Sequence, residues 1–374
     1  MSFTFLTFVT VLRALGCEGF ANFGIGSPRG FPPLLAVLRY IIALCNPWGH
    51  GYALPEGRPS TLKAIAANCR ATLGITIQLG QVMILEGSKP GIRYILEALS
   101  LQGIVVLPKP WYPGHLGGLK RTGCQAHFIA MPTVRAFIKT LQEELGAGLK
   151  PVAIILSFDN PRWLAREYDD YKDLVLLAQR YGFKIISDEA YRDLAYNGRV
   201  NSIMQVLGWE RYAICLQTAS KPFRMAGWKL GALITNEKWL QLILTRKRED
   251  SEGGSPPAQK AWAVALRWCR HYPRRLGQVY FARAKYTVEY LLTVPGIFDI
   301  RIPEGGMFLY FGIGVDSIEF RDALLELGFE VSPGINFGEP DHIRWCLNQG
   351  HWVTRRAIVA LAKILWAALM RQAA

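Results

Sequence analysis

From residue 82 onward, short apolar runs rich in β-branched residues alternate with longer runs that have helical periodicity. QVMILEG is followed by KPGIRYILEALS, then by GIVVLPK and the proline-rich turn WYPGH; PVAIILSF, REYDDYKDLVLLAQRYG, FKIIS, YAICLQ and LGALIT continue the series. Such a series predicts an α/β fold, a large and mostly parallel sheet covered by helices. After about residue 270 the pattern changes to a long helix (ARAKYTVEYLLTV), strands around FDIRIP and GMFLYFG, a helix EFRDALLELG, a strand HIRWCL and a last helix TRRAIVALAKILWAALM. These predict a smaller α+β domain. The expected division is an N-terminal arm and part of the small domain over 1–45, a large domain over 46–270 and a small C-terminal domain over 271–374. SEGGSPP is the one flexible-looking stretch.

Half of the 374 residues are hydrophobic and Gly and Pro are spread along the chain, the profile of a packed globular protein. The net charge of +14 comes from scattered Lys and Arg without a dense basic run, which argues against a nucleic-acid surface and suits an anionic cofactor and acidic substrates. Seven widely spaced cysteines without a CxxC pair imply neither a disulfide framework nor a zinc site, so a reducing cytoplasm is the expected compartment and no metal is expected. The apolar opening MSFTFLTFVTVLRALG has no basic flank and is too short to span a bilayer, so it reads as an arm that packs on the protein or on a partner subunit.

In open α/β sheets, function sits in the loops that follow the carboxyl ends of strands, and the distinctive segments of this chain fall there. QTASKPFRMAGWKLG follows the strand YAICL and carries Lys221 with the hydroxyls of Thr218 and Ser220. IISDEAYRDLAY ends a strand in Asp188 with Tyr191 three residues on. QVMILEG runs into Gly87-Ser88-Lys89 and a helix, a backbone arrangement suited to a phosphate. Each has a bland reading when taken alone: a surface lysine, a helix-capping Asp, a common Gly-Ser turn. PKPWYPGH offers Tyr112 and His115, LSFDNPRW offers Asn160, HGYALPEG offers Tyr52, and Gly24-Ile25-Gly26-Ser27-Pro28 reads as a turn. VSPGINFGEPDHIRWCL places Arg344 on a strand, where an arginine is usually a surface residue.

Taken in order, these segments resemble the motifs of pyridoxal-phosphate-dependent class I/II aminotransferases of the aspartate aminotransferase fold, fold type I, over about residues 20 to 371. YNGRVNSIMQV and MAGWKLG are most similar to bacterial alanine aminotransferases and LL-diaminopimelate aminotransferases. The resemblance implies a seven-stranded-type sheet in the large domain and pyridoxal 5'-phosphate held by Lys221 as a Schiff base. It implies Asp188 at the pyridine nitrogen, where a buried carboxylate keeps that nitrogen protonated. Tyr191 and Asn160 would bind the ring hydroxyl, Tyr112 would stack on the ring, and Gly87, Ser88, Lys89, Thr218, Ser220 and Lys229 would surround the phosphate. Arg344 would fork onto the substrate carboxylate near Gly26, with Asn160 also beside the substrate. Tyr52 would reach the phosphate of a partner subunit, which implies a homodimer. His115 is a secondary candidate, expected to reach Asp188 through a relay, and Trp111 is expected in the core.

Three departures stand out: Arg162-Trp163 replace the family's Thr-Gly after Asn160-Pro161, Lys229 stands where most relatives carry an Arg, and SEGGSPP replaces an aromatic-containing segment. The expected reaction is transfer of an amino group between an L-amino acid and a 2-oxo acid, alanine with 2-oxoglutarate first. Diaminopimelate or aspartate transamination is the nearest rival. A weakened homologue acting as a binding module is the reading from another class.

Overall fold

The structure, a computed structural model, describes residues 21–157, 160–164 and 166–373; the opening apolar stretch lies outside them. The chain forms two compact units. The larger comprises residues 27–281 and 303–307, and the smaller comprises 282–302 and 308–374 with the segment that ends at Gly26. Helix α1 (Leu34–Leu44) groups with the larger unit, which moves the division from the expected 45/46 to 26/27, because α1 packs along the later helix Pro256–Trp268.

The sheet of the larger unit contains β1 (Val82–Leu85), β2 (Ile104–Lys109), β3 (Gln125–Ala130), β4 (Pro151–Leu156), β5 (Lys184–Asp188), β6 (Ala213–Thr218) and β7 (Gly231–Ile234). Their order is β1-β7-β6-β5-β4-β2-β3. Strands β2 to β6 pair in parallel, and β7 runs antiparallel to both β6 and β1. The mostly parallel, seven-stranded sheet matches the expectation, and the sequence pattern missed only β3, an edge strand with a largely exposed surface.

Strand alternation explains why the central strands are apolar throughout. Val82, Ile84, Ile185, Ala213 and Cys215 enter a core covered by α2 (Pro59–Leu73), α5 (Val134–Gly146), α6 (Tyr168–Tyr181) and α8 (Pro256–Trp268). Their neighbours Met83, Leu85, Ile186, Ile214 and Leu216 enter a second core under α3 (Ser88–Ala98), α4 (Pro113–Thr122) and α7 (Glu237–Arg248). Each fully buried Ile or Leu contributes roughly 1.5–3 kcal/mol, so a one-residue slip in register would be costly on both faces.

Local chemistry sets the helix ends. Pro59 and Pro113 start α2 and α4, where the missing N–H is no loss, and Gly74, Gly123 and Gly182 take the left-handed conformation that stops α2, α4 and α6. Two hydrogen bonds hold the segment SEGGSPP: Gln259 donates to the Gly253 carbonyl at 2.5 Å, and Ser255 caps α8 by accepting the Ala258 amide.

The smaller unit holds a three-stranded antiparallel sheet of β8 (Phe308–Gly312), β9 (Ser332–Pro333) and β10 (His342–Cys346) in the order β9-β10-β8. Ala21–Asn22 pairs in parallel with Phe329–Glu330. Helix α9 (Tyr272–Leu291) enters this unit from the larger one, followed by α10 (Ser317–Glu326) and α11 (His351–Ala373). FDIRIP, expected as a strand, supplies a single bridge between Phe298 and Gly312. Asp299 has φ 50°, which breaks the extended backbone there. Among the described residues no helix is long and apolar enough to cross a membrane.

Candidate active site

Register brings three strand ends of the larger unit together. Gly231 on β7 pairs with Leu85 on one side and Thr218 on the other, and Asp188 pairs with Leu216 on β6. The stretch after Leu85 then turns tightly: a Cβ at Gly231 would lie 2.8 Å from the Gly87 carbonyl carbon and 2.9 Å from the Gln217 carbonyl oxygen. Only glycine permits that approach. Gly87 itself has φ 96°, and space is open where its side chain would stand. Helix α3 begins at Ser88 without a side-chain cap, so its first amides face this turn.

Beside the turn, the Thr218 hydroxyl donates to the Leu230 carbonyl at 2.8 Å and accepts the Ser220 amide at 3.1 Å. The Thr218 and Ser220 hydroxyl oxygens are 2.8 Å apart. Lys221 follows, half-buried, with Nζ 5.5 Å from the centre of the buried Tyr191 ring. Lys229 is exposed and closes a short turn in the left-handed region, φ 53°. Lys89 is also exposed, its Nζ 6.0 Å from the centre of the Tyr112 ring.

Ile186 and Leu216 point to the face covered by α3 and α4, so Asp188 and Thr218, two residues on, project to that same face. There His115 Nε2, on the first turn of α4, lies 3.1 Å from Asp188 Oδ2 with both groups buried, and Asp188 Oδ1 accepts the Ala190 amide at 3.3 Å. His115 meets Asp188 directly, without the expected relay. Tyr112 stands edge-on to His115 at 5.1 Å between ring centres. A Cβ at Gly114 would fall 2.4 Å from the Tyr112 ring and 2.6 Å from Lys89 Cε, so a side chain there would displace both.

The opposite face secures this strand end. Glu189, buried, accepts from Ser187 Oγ (3.1 Å), Ser202 Oγ (2.9 Å), the Ile203 amide (3.2 Å) and Arg192 Nη1 (3.0 Å). Arg192 also pairs with Asp193 at 3.0 Å. A buried ion pair is tolerable only when its remaining valences are filled, and here they are filled by groups on either side of Tyr191. Cys69 on α2 is on this side, and burial pushes its thiol up from 9.0 to about 11. The sequence offered DEAYRD as a carrier of Asp188 and Tyr191; the acid next to Asp188 and the Arg next to Tyr191 are the signal for this second network.

Asn160 is buried beyond the carboxyl end of β4. Of the two departures that follow it, Trp163 is buried against Gly305, where a Cβ would stand 2.6 Å from the indole, and the Arg166 guanidinium lies 4.9 Å from its ring centre. Trp111, expected in the core, is half-buried against Phe128 at 4.2 Å between ring centres. Tyr52 is 94 % exposed.

Arg344 and Gly26 belong to the smaller unit. Arg344 is buried on β10, its Nη2 donating to the Gly24 carbonyl (2.8 Å) and reaching Ser332 Oγ (3.2 Å), between the rings of Phe308 and Phe337 at 4.2 and 4.9 Å. The preceding turn is shaped by Asn22, whose Oδ1 accepts the amides of Gly24 and Ile25 at 2.9 and 2.7 Å; Gly26 follows it, half-buried.

Comparison with known proteins agrees with the fold. The family model for aminotransferase class I and II matches residues 19–361, and the chain belongs to that family. It is 29 % identical over 354 residues to the glutamate-pyruvate aminotransferase AlaC of Escherichia coli, covering 91 % of this chain and 85 % of that protein. It is 26 % identical over 324 residues to the LL-diaminopimelate aminotransferase of Natranaerobius thermophilus, covering 84 % and 83 % of the two chains. Among solved structures, the aspartate aminotransferase of Thermotoga maritima superposes with a TM-score of 0.84 at 23 % identity, covering 97 % of this chain and 96 % of that one, which shows the shared fold.

Proposed function

We propose that this chain transfers an amino group between an L-amino acid and a 2-oxo acid with pyridoxal 5'-phosphate held at Lys221. The observation that carries the reading is the convergence of the Lys221 amine, the Asp188–His115 pair and the Gly87–Gly231 cradle at neighbouring strand ends of one unit. The cradle suits a phosphate: a Cβ at Gly231 would close it, an uncapped helix start faces it, and two hydroxyls flank it.

When bound, the cofactor supplies an electron sink for the bond broken at the substrate Cα. Lys221 is the amine that would hold the cofactor and the base that would move the proton at the substrate Cα. Asp188 holds a proton at the pyridine nitrogen, and His115 holds Asp188 in place. Tyr191 and Asn160 bind the ring hydroxyl, and Tyr112 covers the ring face. Gly87, Ser88, Lys89, Thr218, Ser220 and Lys229 serve the phosphate. Arg344 binds the substrate carboxylate as a planar fork, with Gly26 leaving room for it.

The acting species is a homodimer in which Tyr52 serves the partner's phosphate. In support, α1 leaves Leu34, Leu35, Leu38, Ile41 and Ile42 exposed along one helix, an apolar surface of the kind that marks an interface. Alanine with 2-oxoglutarate is the first substrate pair to test, given the name of the Escherichia coli relative; LL-diaminopimelate and aspartate follow from the others. The compartment that goes with this reading is the cytoplasm. An absorbance spectrum of purified protein titrated with an amino-acid panel tests the reading. A cofactor band that shifts with one amino acid names the donor; a protein that takes up no cofactor is a binding module instead.

A further inference from the structure

Lys247 on α7 is fully buried. Its ammonium donates to the Pro55 carbonyl at 2.9 Å and to the Glu252 carbonyl, with Glu86 Oε1 3.5 Å away. Removing an ammonium from water is costly unless new acceptors replace the lost hydration, so these three contacts are the condition of its burial. They come from three stretches far apart in the chain: residues 50–57, which carry Tyr52; the turn that leads into Gly87; and the glycine-rich connection before α8.

The same stretches meet in other ways. Gly253 lies so close to the Leu54 carbonyl that a Cβ would stand 2.0 Å from its oxygen. Gln259 donates through Nε2 to Gly253 and accepts the Arg58 amide through Oε1 at 2.8 Å. The Glu56 carbonyl accepts the Ile84 amide at 2.8 Å, so the Tyr52 stretch is bonded to β1, the strand that ends at the cofactor turn.

We infer that Lys247 is a positioning residue that holds the Tyr52 stretch and the Glu86–Ser88 turn as one assembly, and so sets the affinity for the phosphate of the cofactor. This rests on the function proposed above. One ammonium serves both segments, so loosening it loosens both together. The apolar packing of α7 through Leu240, Ile243 and Leu244 does not depend on it. The effect therefore falls on loops and not on the core.

The test replaces Lys247 with Met, which keeps length and loses the charge. Hydrogen–deuterium exchange of the cofactor-free protein reads residues 50–58 and 84–92, and a pyridoxal-phosphate titration reads affinity. Both segments are expected to exchange faster while β5 and β6 keep their protection. The dissociation constant should rise roughly tenfold, the loss expected for hydrogen bonds to a charged group, with kcat at saturating cofactor retained. Wild-type exchange in both segments, or a uniform loss of protection with unchanged affinity, overturns the inference. Should Lys247→Met not accumulate as folded protein, Glu86→Gln neutralises the ion-pair partner and leaves both carbonyl bonds; smaller changes in the same two readouts are expected, and none would overturn it. A wild-type protein that takes up no pyridoxal phosphate sinks the functional reading and the affinity half with it, while the exchange still decides the positioning half.

Discussion

His115 Nε2 and Asp188 Oδ2 meet at 3.1 Å with side chains only 1 % and 6 % exposed. An imidazole held this way fixes one carboxylate oxygen, and the other, which accepts the Ala190 amide, has a second lone pair for the ring nitrogen of the proposed cofactor. Asp188→Asn keeps the shape and removes the charge. It is expected to lower kcat by roughly 10²-fold or more with little change in thermal stability. His115→Phe is expected to cost about 1–3 kcal/mol of stability as well, because Asp188 loses a buried partner. Steady-state rates and melting curves of the two variants separate the roles; an Asp188→Asn enzyme within a few-fold of wild type refutes the assignment.

Lys221→Ala removes a half-buried amine from a loop and touches neither core. The variant should fold and melt like wild type, lose turnover, and lack the absorbance of covalently held cofactor. Normal turnover ends the proposal.

Lys229 sits at φ 53°, a conformation that costs a non-glycine residue roughly 1–2 kcal/mol. Lys229→Gly should therefore melt at a temperature equal to or above wild type while retaining cofactor less well on dialysis. Lys229→Arg should retain it better, since a fork replaces a point charge. A glycine variant with undiminished retention takes Lys229 away from the phosphate.

The exposed apolar residues of α1, Leu34, Leu35, Leu38, Ile41, Ile42 and Leu44, are expected to be covered in the proposed dimer. The double variant Leu38→Asp, Ile42→Asp should sediment as a monomer and, deprived of the partner's Tyr52, bind cofactor more weakly. A dimer that survives both substitutions moves the interface elsewhere.

Cys69 carries a prediction about pH. Its thiol is raised from 9.0 to about 11 by burial, and Cys215 is raised by the same cause. A folded-state pKa above the unfolded one means that the folded chain holds its proton more tightly, so this contribution to stability is full below pH 9.0 and is lost as pH climbs toward about 11. Melting temperature should fall over that window, and less steeply in Cys69→Ala. Equal slopes in the two proteins would show that Cys69 does not titrate there.

The large sheet was legible because its central strands are buried on both faces and therefore read as unbroken apolar runs. Edge strand β3 was not, since QAHFIA is largely exposed and mixes polar with apolar positions. FDIRIP has the composition of a strand, yet Asp299 bends it and the Phe298 ring lies over Gly312. Motif residues such as Lys221 and Asp188 stand out because their neighbours form a pattern along the chain. His115, Glu189 and Lys247 owe their importance to partners 73, 13 and 192 residues away, and no local pattern announces a contact at that range.

Trp163 and Gly305 meet closely enough that any side chain at 305 would collide with the indole. The loop after Asn160 has thus exchanged a turn for a wedge, and the wedge has a matching notch 142 positions later. For anyone redesigning this enzyme, the two positions behave as one site. A library that randomises 305 alone will return mostly glycine, whereas one that pairs a small residue at 163 with larger ones at 305 opens sequences that neither change reaches by itself.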